Sequence, residues 1–233
     1  DEAKMLDEVA RFCPEDVQGY LDFVQDAERC KTLGFEGLGS IAFDTLGDLI
    51  KAIPSFLKMG AWRSIYSLVA KHFSNDKLRT VMSFHPLLIG GNPFSVTAAY
   101  ALINSLERTW GVHSAMGGTG AIVKGMVGLL ESRGIQLTCN APVTQIRIEN
   151  GKACGVELAN GEFIAADIVV SNADTAWTYK NLVAPQHRRH WTNRKIENGR
   201  YSMGLFVWYF GTSKQYHDVP HHMMVLGPRY KGL

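Results

Sequence analysis

Between residues 17 and 24, apolar side chains recur at helical spacing: Val17, Tyr20, Leu21 and Val24 fall on one stripe. Pro14 precedes them at a position where a first-turn proline is tolerated, and Glu15 and Asp16 stand where a helix dipole favours acids. A second apolar region, 46–73, carries Leu46, Leu49, Ile50, Ile53, Phe56, Leu57, Trp62, Ile65, Tyr66, Leu68 and Val69, interrupted by Pro54 and Gly60. Asn92-Pro93 closes the helical run that follows, and Ser95 is placed to cap a helix over Val96–Arg108. Residues 1–110 are therefore expected to be helical. Gly117-Gly118-Thr119-Gly120 then opens a further helix that ends at Gly134.

Beyond Gly134 the pattern shortens to strand-length runs: Ile135–Cys139, Pro142–Glu149, Ala153–Leu158, a short Val169-Val170 and a longer Met203–Phe210. Asn150-Gly151 and Asn160-Gly161 supply the positive φ that two-residue hairpin turns demand. In the last run Met203, Leu205, Val207 and Tyr209 alternate with Gly204, Phe206, Trp208 and Phe210, so both faces are apolar and the strand expects either burial on both sides or a ligand on one. The pattern as a whole predicts an α+β protein.

Composition narrows the chemistry. With 46% hydrophobic and 20% charged residues and a net charge of +2, the 233-residue chain is globular, and its basic residues are too dispersed for nucleic acid. The local run His187-Arg188-Arg189-His190 is expected as a solvated loop. Cys13, Cys30, Cys139 and Cys154 lack C-x-x-C spacing and are expected as reduced thiols of a cytoplasmic protein, with Cys139 and Cys154 placed to face each other across adjacent strands. No signal peptide is visible, and no apolar run reaches the roughly 20 residues a membrane-spanning helix needs. Of the eight histidines, adjacent His221 and His222 point apart in a strand, and none is spaced to hold a metal. His85 and His113 are expected to be structural. A serine hydrolase is unsupported, because no G-x-S-x-G occurs.

Several longer motifs stand in one order along the chain: Phe12-Cys-Pro-Glu-Asp-Val-Gln-Gly-Tyr20, Phe84-His-Pro-Leu-Leu-Ile-Gly-Gly-Asn-Pro-Phe94, Trp110-Gly-Val112 with Gly117-Gly-Thr-Gly120, Val170-Ser-Asn-Ala-Asp174, Phe206-Val-Trp-Tyr-Phe-Gly211 and Gly227-Pro-Arg-Tyr230. This set resembles the FAD-dependent amine-oxidase-like enzymes, and among them the bacterial-type phytoene desaturases (carotenoid desaturases). The resemblance implies a helical substrate-domain part over 1–110 able to associate with a membrane. It further implies a glycine-turn helix and strands of a Rossmann-like FAD-binding domain over 111–182, and a β-rich substrate-domain part over 183–233. Complete members look about twice as long and open with a strand and a G-x-G-x-x-G turn that seats the FAD pyrophosphate. Gly118-Thr119-Gly120 lacks the third glycine and no buried strand precedes it, so the chain is expected to be an internal fragment without that turn. Ser114-Ala115-Met116 also departs from the family, which often carries an aromatic and a proline there.

By the same resemblance, Gly117 and Gly118 approach the flavin, Val143 offers backbone groups to the adenine, and Ser171, Asn172, Ala173 and Asp174 complete a cofactor-binding set. Asn172 or Asp174 is equally placed to cap the helix that follows. The implied activity is FAD-dependent desaturation of phytoene by hydride transfer, with a quinone or oxygen as final electron acceptor. A hydrocarbon substrate needs an apolar tunnel, for which Phe206, Trp208 and Phe210 are candidates as well as for plain core. No catalytic side chain is assigned and no metal is expected. The basic apolar region 46–73 is expected to rest on a membrane surface, giving a cytoplasmic, peripheral protein. Carotene cis–trans isomerisation or carotenoid oxidation on the same scaffold are the enzymatic alternatives, and a non-catalytic lipid-binding module is the alternative of another class.

Overall fold

A computed structural model describes residues 2–220 and 222–232, so His221 lies outside the described residues. The protein mixes helices with one small three-stranded antiparallel sheet, an α+β composition. It divides into two compact units, one made of 1–113 with 202–233 and the other of 114–201.

The first unit is helical. Helices α1 (Glu2–Phe12), α2 (Val17–Cys30), α3 (Leu46–Lys58), α4 (Ile65–His72), α5 (Asp76–Ser83) and α6 (Leu102–Trp110) are joined by short 3-10 turns and by a π-helical turn over Lys31–Glu36. On α2 the most deeply buried side chains are Tyr20, Phe23, Ala27 and Cys30, with Val17 and Val24 packed at their edge. They meet Ile65, Leu68 and Val69 of α4, Phe73, Met82 of α5, and Ala98 and Ala101. Gly19 allows this crossing, since a Cβ there would sit 1.8 Å from the His72 carbonyl oxygen. The start of α6 differs from the sequence expectation. Ser95 does not cap; Thr97 accepts from the Ala99 N–H, and a 3-10 turn over Ala98–Ala101 leads into the helix.

Asp16 is not merely an acid at a helix start. It is buried, and its carboxylate accepts from the Ser74 N–H (2.8 Å), the Ser74 hydroxyl (2.8 Å) and the Asn75 N–H (2.9 Å). Asn75 in turn caps α5 through the N–H groups of Lys77 and Leu78. One carboxylate thus ties the entry of α2 to the entry of α5.

The second unit holds α7 (Thr119–Ser132), strands β1 (Val143–Glu149), β2 (Lys152–Leu158) and β3 (Phe163–Ala165), α8 (Thr175–Asn181) and α9 (Asn193–Glu197). The β1–β2 turn has φ of 50° at Asn150 and 78° at Gly151, as a tight hairpin with both residues left-handed requires. At the next turn only Gly161 is left-handed, and the Asn160 side chain closes the loop by accepting from the Glu162 N–H. Strand order is β1-β2-β3. Register shifts occur after Val143, where Thr144 is extra, and after Arg147, where Cys154 is extra on β2.

Three expected strands do not form. Ile135–Cys139, Val169-Val170 and Met203–Phe210 carry no ladder among the described residues, and 183–233 holds no strand, against the β-rich expectation. A strand exists only when its N–H and C=O groups find partners, and alternation of side chains cannot supply them. The four cysteines are free, so Cys139 and Cys154 do not bridge.

Candidate functional site

The candidate cofactor residues all lie in the second unit. Gly117 and Gly118 have φ of 82° and 78° and form the turn that opens α7. A Cβ on Gly118 would meet nothing within 4 Å, so the turn presents bare backbone to open space. The amide ends of α7 there are the positive pole of a 14-residue helix. Ile122, Val123, Met126 and Leu129 of this helix are all exposed, and Lys124 and Glu131 lie on its other side.

Val143 stands at the opposite end of the hairpin from Asn150-Gly151, pairs with Leu158, and immediately precedes the Thr144 bulge. A bulge leaves a residue unpaired and re-aims its neighbours, and such irregularities gather beside binding sites. Thr144 turns its hydroxyl onto the Glu157 carbonyl (3.1 Å). Behind the hairpin the Ile146 N–H donates to the Leu182 carbonyl (2.8 Å), which fastens the end of α8 to β1.

Ser171–Asp174 form the loop that enters α8. The Asp174 carboxylate caps the helix, accepting from the Trp177 N–H at 2.7 Å, so of the two candidate caps the structure selects Asp174. The Ser171 hydroxyl lies 2.9 Å from the Thr178 hydroxyl, folding the loop back over the first turn. Asn172 and Ala173 are exposed at its crest. Thr178 and Leu182, which set this loop on β1, were not singled out in the sequence; their helical spacing on a short polar helix is the signal they offered. Arg188 was also missed. The run 187–190 is the expected exposed loop at His187, Arg189 and His190, but the Arg188 guanidinium donates to the Val183 carbonyl (2.7 Å), the Lys180 carbonyl (3.1 Å) and Asn193 Oδ1 (2.8 Å), closing the C-terminal end of α8. The structure thus joins Ser171–Asp174 to the sheet that carries Val143, while no hydrogen bond joins them to Gly117-Gly118 among the described residues.

The substrate candidates Phe206, Trp208 and Phe210 belong to the first unit, in an extended segment without a ladder. They are 91%, 73% and 69% exposed, so the plain-core alternative fails within this chain. Trp208 and Phe210, two residues apart, bring their rings to 5.0 Å between centroids.

The histidines take the positions expected of structural groups. His85 is buried, stacked on Phe84, with Nε2 3.3 Å from the Glu107 carboxylate. Burial pushes its imidazole below the ordinary histidine value, against the opposing pull of Glu107 and the Met82 carbonyl. His113 is exposed and its Nε2 meets the Trp110 carbonyl at 2.7 Å. Among the described residues no group of His, Cys, Asp or Glu is arranged to hold a metal.

The apolar region 46–73 separates into two parts. Ile65, Leu68 and Val69 of α4 are core, whereas Leu46, Leu49, Ile50, Ile53 and Leu57 of α3, with Trp62 beyond it, are exposed. A capping box between Thr45 and Asp48 starts α3. Among the described residues no helix is long and apolar enough to cross a membrane.

No family model matches the chain. It is 47% identical over 232 residues, 98% of its length, to the phytoene desaturase (neurosporene-forming) of Cereibacter sphaeroides, and 45% identical over 235 residues to the protein of that name from Rhodobacter capsulatus. It is 37% identical over its whole length to the phytoene desaturase (lycopene-forming) of Pantoea ananas. The chain spans about half the length of the curated relatives it matches, 45% to 47% of each.

Proposed function

From a chain homologous over 98% to 100% of its length to bacterial phytoene desaturases, we infer that the intact protein is itself an FAD-dependent phytoene desaturase of carotenoid biosynthesis. The observation that carries this inference is the 47% identity along 232 residues, which crosses both units of the structure. The names of these relatives favour desaturation over isomerisation or terminal oxidation.

The residues present suit a flavin. At Gly118 the backbone is uncovered, with nothing within 4 Å of where a Cβ would stand, while Gly117 packs toward Ala121. Short polar groups and exposed amides at Ser171–Ala173 suit a ribityl or phosphate edge, and the bulge beside Val143 suits backbone pairing with an adenine. Bound FAD supplies the two-electron acceptor for removing hydrogen from a saturated carbon–carbon bond. What this chain adds is position and exclusion of water: α7 holds a positive helix end at the glycine turn, and the aromatic faces of Phe206, Trp208 and Phe210 offer an apolar wall suited to a polyene and to a transient cation.

The second unit reads best as part of a Rossmann-like FAD-binding domain and the first as part of a substrate domain. Ile135–Cys139, Val169-Val170 and Met203–Phe210 have strand sequences without ladders, and the apolar side chains Ile122, Val123, Met126 and Leu129 of α7 lie uncovered. Both features are those of elements whose partners lie in the half of the relatives' length that this chain does not span.

For a membrane-dissolved substrate, α3 is the docking element: its exposed leucines and isoleucines, flanked by Lys51, Lys58 and the Arg63–Trp62 cation–π pair, form an interfacial helix on the cytoplasmic side. Charge reversal of Lys51, Lys58 and Arg63 should abolish co-flotation of the intact protein with anionic liposomes at low salt; unchanged co-flotation would place docking elsewhere. The activity itself is tested by purifying the intact protein and offering phytoene in liposomes with a quinone or oxygen. A flavin spectrum and growth of visible polyene absorbance are expected. A colourless protein, or a flavoprotein that leaves phytoene unchanged, would refute the assignment.

A further inference from the structure

Tyr230 is buried against Tyr66 and Phe94, with ring centroids 6.4 and 5.5 Å away, and its hydroxyl lies 2.8 Å from the Ser83 hydroxyl. Burial raises the phenol's pKa and keeps it neutral, a hydrogen-bonding anchor rather than an acid. The anchor holds the 224–232 segment against α5, and a short 3-10 turn over Tyr230–Gly232, with the Gly232 N–H donating to the Arg229 carbonyl, ends that segment.

Between this segment and α5 lies a cavity of about 1040 Å³. Its apolar walls include Tyr66, Val81 and Leu226, and Lys77, Arg229 and Lys231 stand on the same lining. None of these three cations has an ion-pair partner among the described residues. The carboxylate on the same lining, Asp76, is engaged by Arg79 at 3.0 Å. Three uncompensated positive charges on one concavity raise the local concentration of anions, and a guanidinium with two ammonium groups matches the oxygens of a phosphate. The apolar walls give such an anion a reason to carry a hydrocarbon tail.

We propose that this cavity is a binding site for a small anionic amphiphile, with a phosphate head on Lys77, Arg229 and Lys231 and an apolar tail against Tyr66, Val81 and Leu226. The site is independent of the catalytic reading, since none of these residues belongs to the cofactor or substrate sets above. The same head-group chemistry is offered by free phosphate and by a phospholipid, and the test separates them.

Isothermal titration of the intact protein with dihexanoyl phosphatidate, kept below its micelle concentration, should give saturable binding that weakens with salt. Inorganic phosphate should bind at least about tenfold more weakly, lacking the tail, and dihexanoyl phosphatidylcholine likewise, its head carrying no net charge. Combined replacement Lys77→Gln, Arg229→Gln and Lys231→Gln should lower phosphatidate affinity at least about tenfold. Should that variant not fold, Thr80→Glu, which puts one carboxylate on the same lining, should do the same. Equal binding of phosphatidylcholine, phosphate binding as tightly as phosphatidate, or unchanged affinity in a folded variant would each overturn the proposal.

Discussion

Replacing Asp16 by alanine should destabilise the helical unit far more than loss of an ordinary helix cap. Its carboxylate accepts three hydrogen bonds, two from the backbone N–H groups of Ser74 and Asn75 and one from the Ser74 hydroxyl, at 2.8 to 2.9 Å. Hydrogen bonds to charged groups are worth about 1.5–3 kcal/mol each, but the buried charge gives back part of that in lost hydration, so about 3 kcal/mol net is expected. An exposed cap lost to alanine typically costs only about 1 kcal/mol. The pH dependence follows from the sign of the shift. Burial, the largest single influence, opposes ionisation, yet the N–H groups and hydroxyl of Ser74 and Asn75, with Arg79 nearby, together hold the Asp16 carboxyl below its ordinary value. A depressed folded pKa contributes stability that is complete above the unfolded value of about 3.9 and is lost as pH falls through the folded value. Urea unfolding of the intact protein, followed by far-UV circular dichroism, should therefore show a constant wild-type-to-variant gap at neutral pH that narrows below about pH 4. Hydrogen exchange of the Ser74 and Asn75 amides should quicken in the variant over the same neutral range. A gap under about 1 kcal/mol, or one that widens on acidification, would refute the role assigned to this carboxylate.

The remaining expectations concern the histidine and the two candidate sites. For His85 the folded value lies below the unfolded one, so its contribution to stability is complete above about pH 6.5 and erodes as pH falls below it; His85→Gln should remove this slope below about pH 6.5 in thermal melts. The same variant, loaded with flavin, should keep activity within a few-fold, and a loss of the ~10²–10⁴ typical of a missing general base would refute a structural role. Asn172→Ala should lower the flavin-to-protein absorbance ratio of the purified intact enzyme before it touches turnover; full flavin with abolished desaturation would move Asn172 to the catalytic centre. Trp208→Ala should cut turnover by up to about 10², the effect of misplacing a substrate, while leaving flavin content unchanged; undiminished polyene formation would remove Trp208 from the substrate wall.

What the sequence conveyed well was local. Asn150-Gly151 demanded a tight hairpin and formed one, because left-handed φ at two successive residues is a property of those residues alone. Glycine at 134 ended α7 for the same reason, with the Ile135 N–H closing onto the Leu130 carbonyl. The buried face of α2 was nearly legible, but Phe23, Ala27 and Cys30 carry more of it than Leu21, since the deciding factor is where α4 crosses at Gly19. Met203–Phe210 misled because alternation records only what a strand would do if paired. Around the candidate cofactor site, Ser171–Asp174 stood out as short polar residues after an apolar run. Their supports did not: Thr178, Leu182 and Arg188 act through contacts set by chain reversal, and Arg188 looked like one more charge in a basic run.

The bare backbone of Met203–Phe210 also bears on how the polypeptide is made. Eight residues, all aliphatic or aromatic apart from Met203 and Gly204 and without a charge or a proline among them, are the composition that stacks into intermolecular β-structure. Such a stretch stays benign only while something shields it, and among the described residues no sheet neighbour does so. A partner strand supplied from far along the polypeptide would delay closure and lengthen the interval in which nascent molecules collide. Chaperone demand during synthesis should therefore concentrate on this stretch. A lysine at Val207 should raise the soluble yield of the isolated 233-residue chain while impairing assembly of the complete enzyme, the mark of a segment whose stickiness is the cost of a late but obligatory pairing.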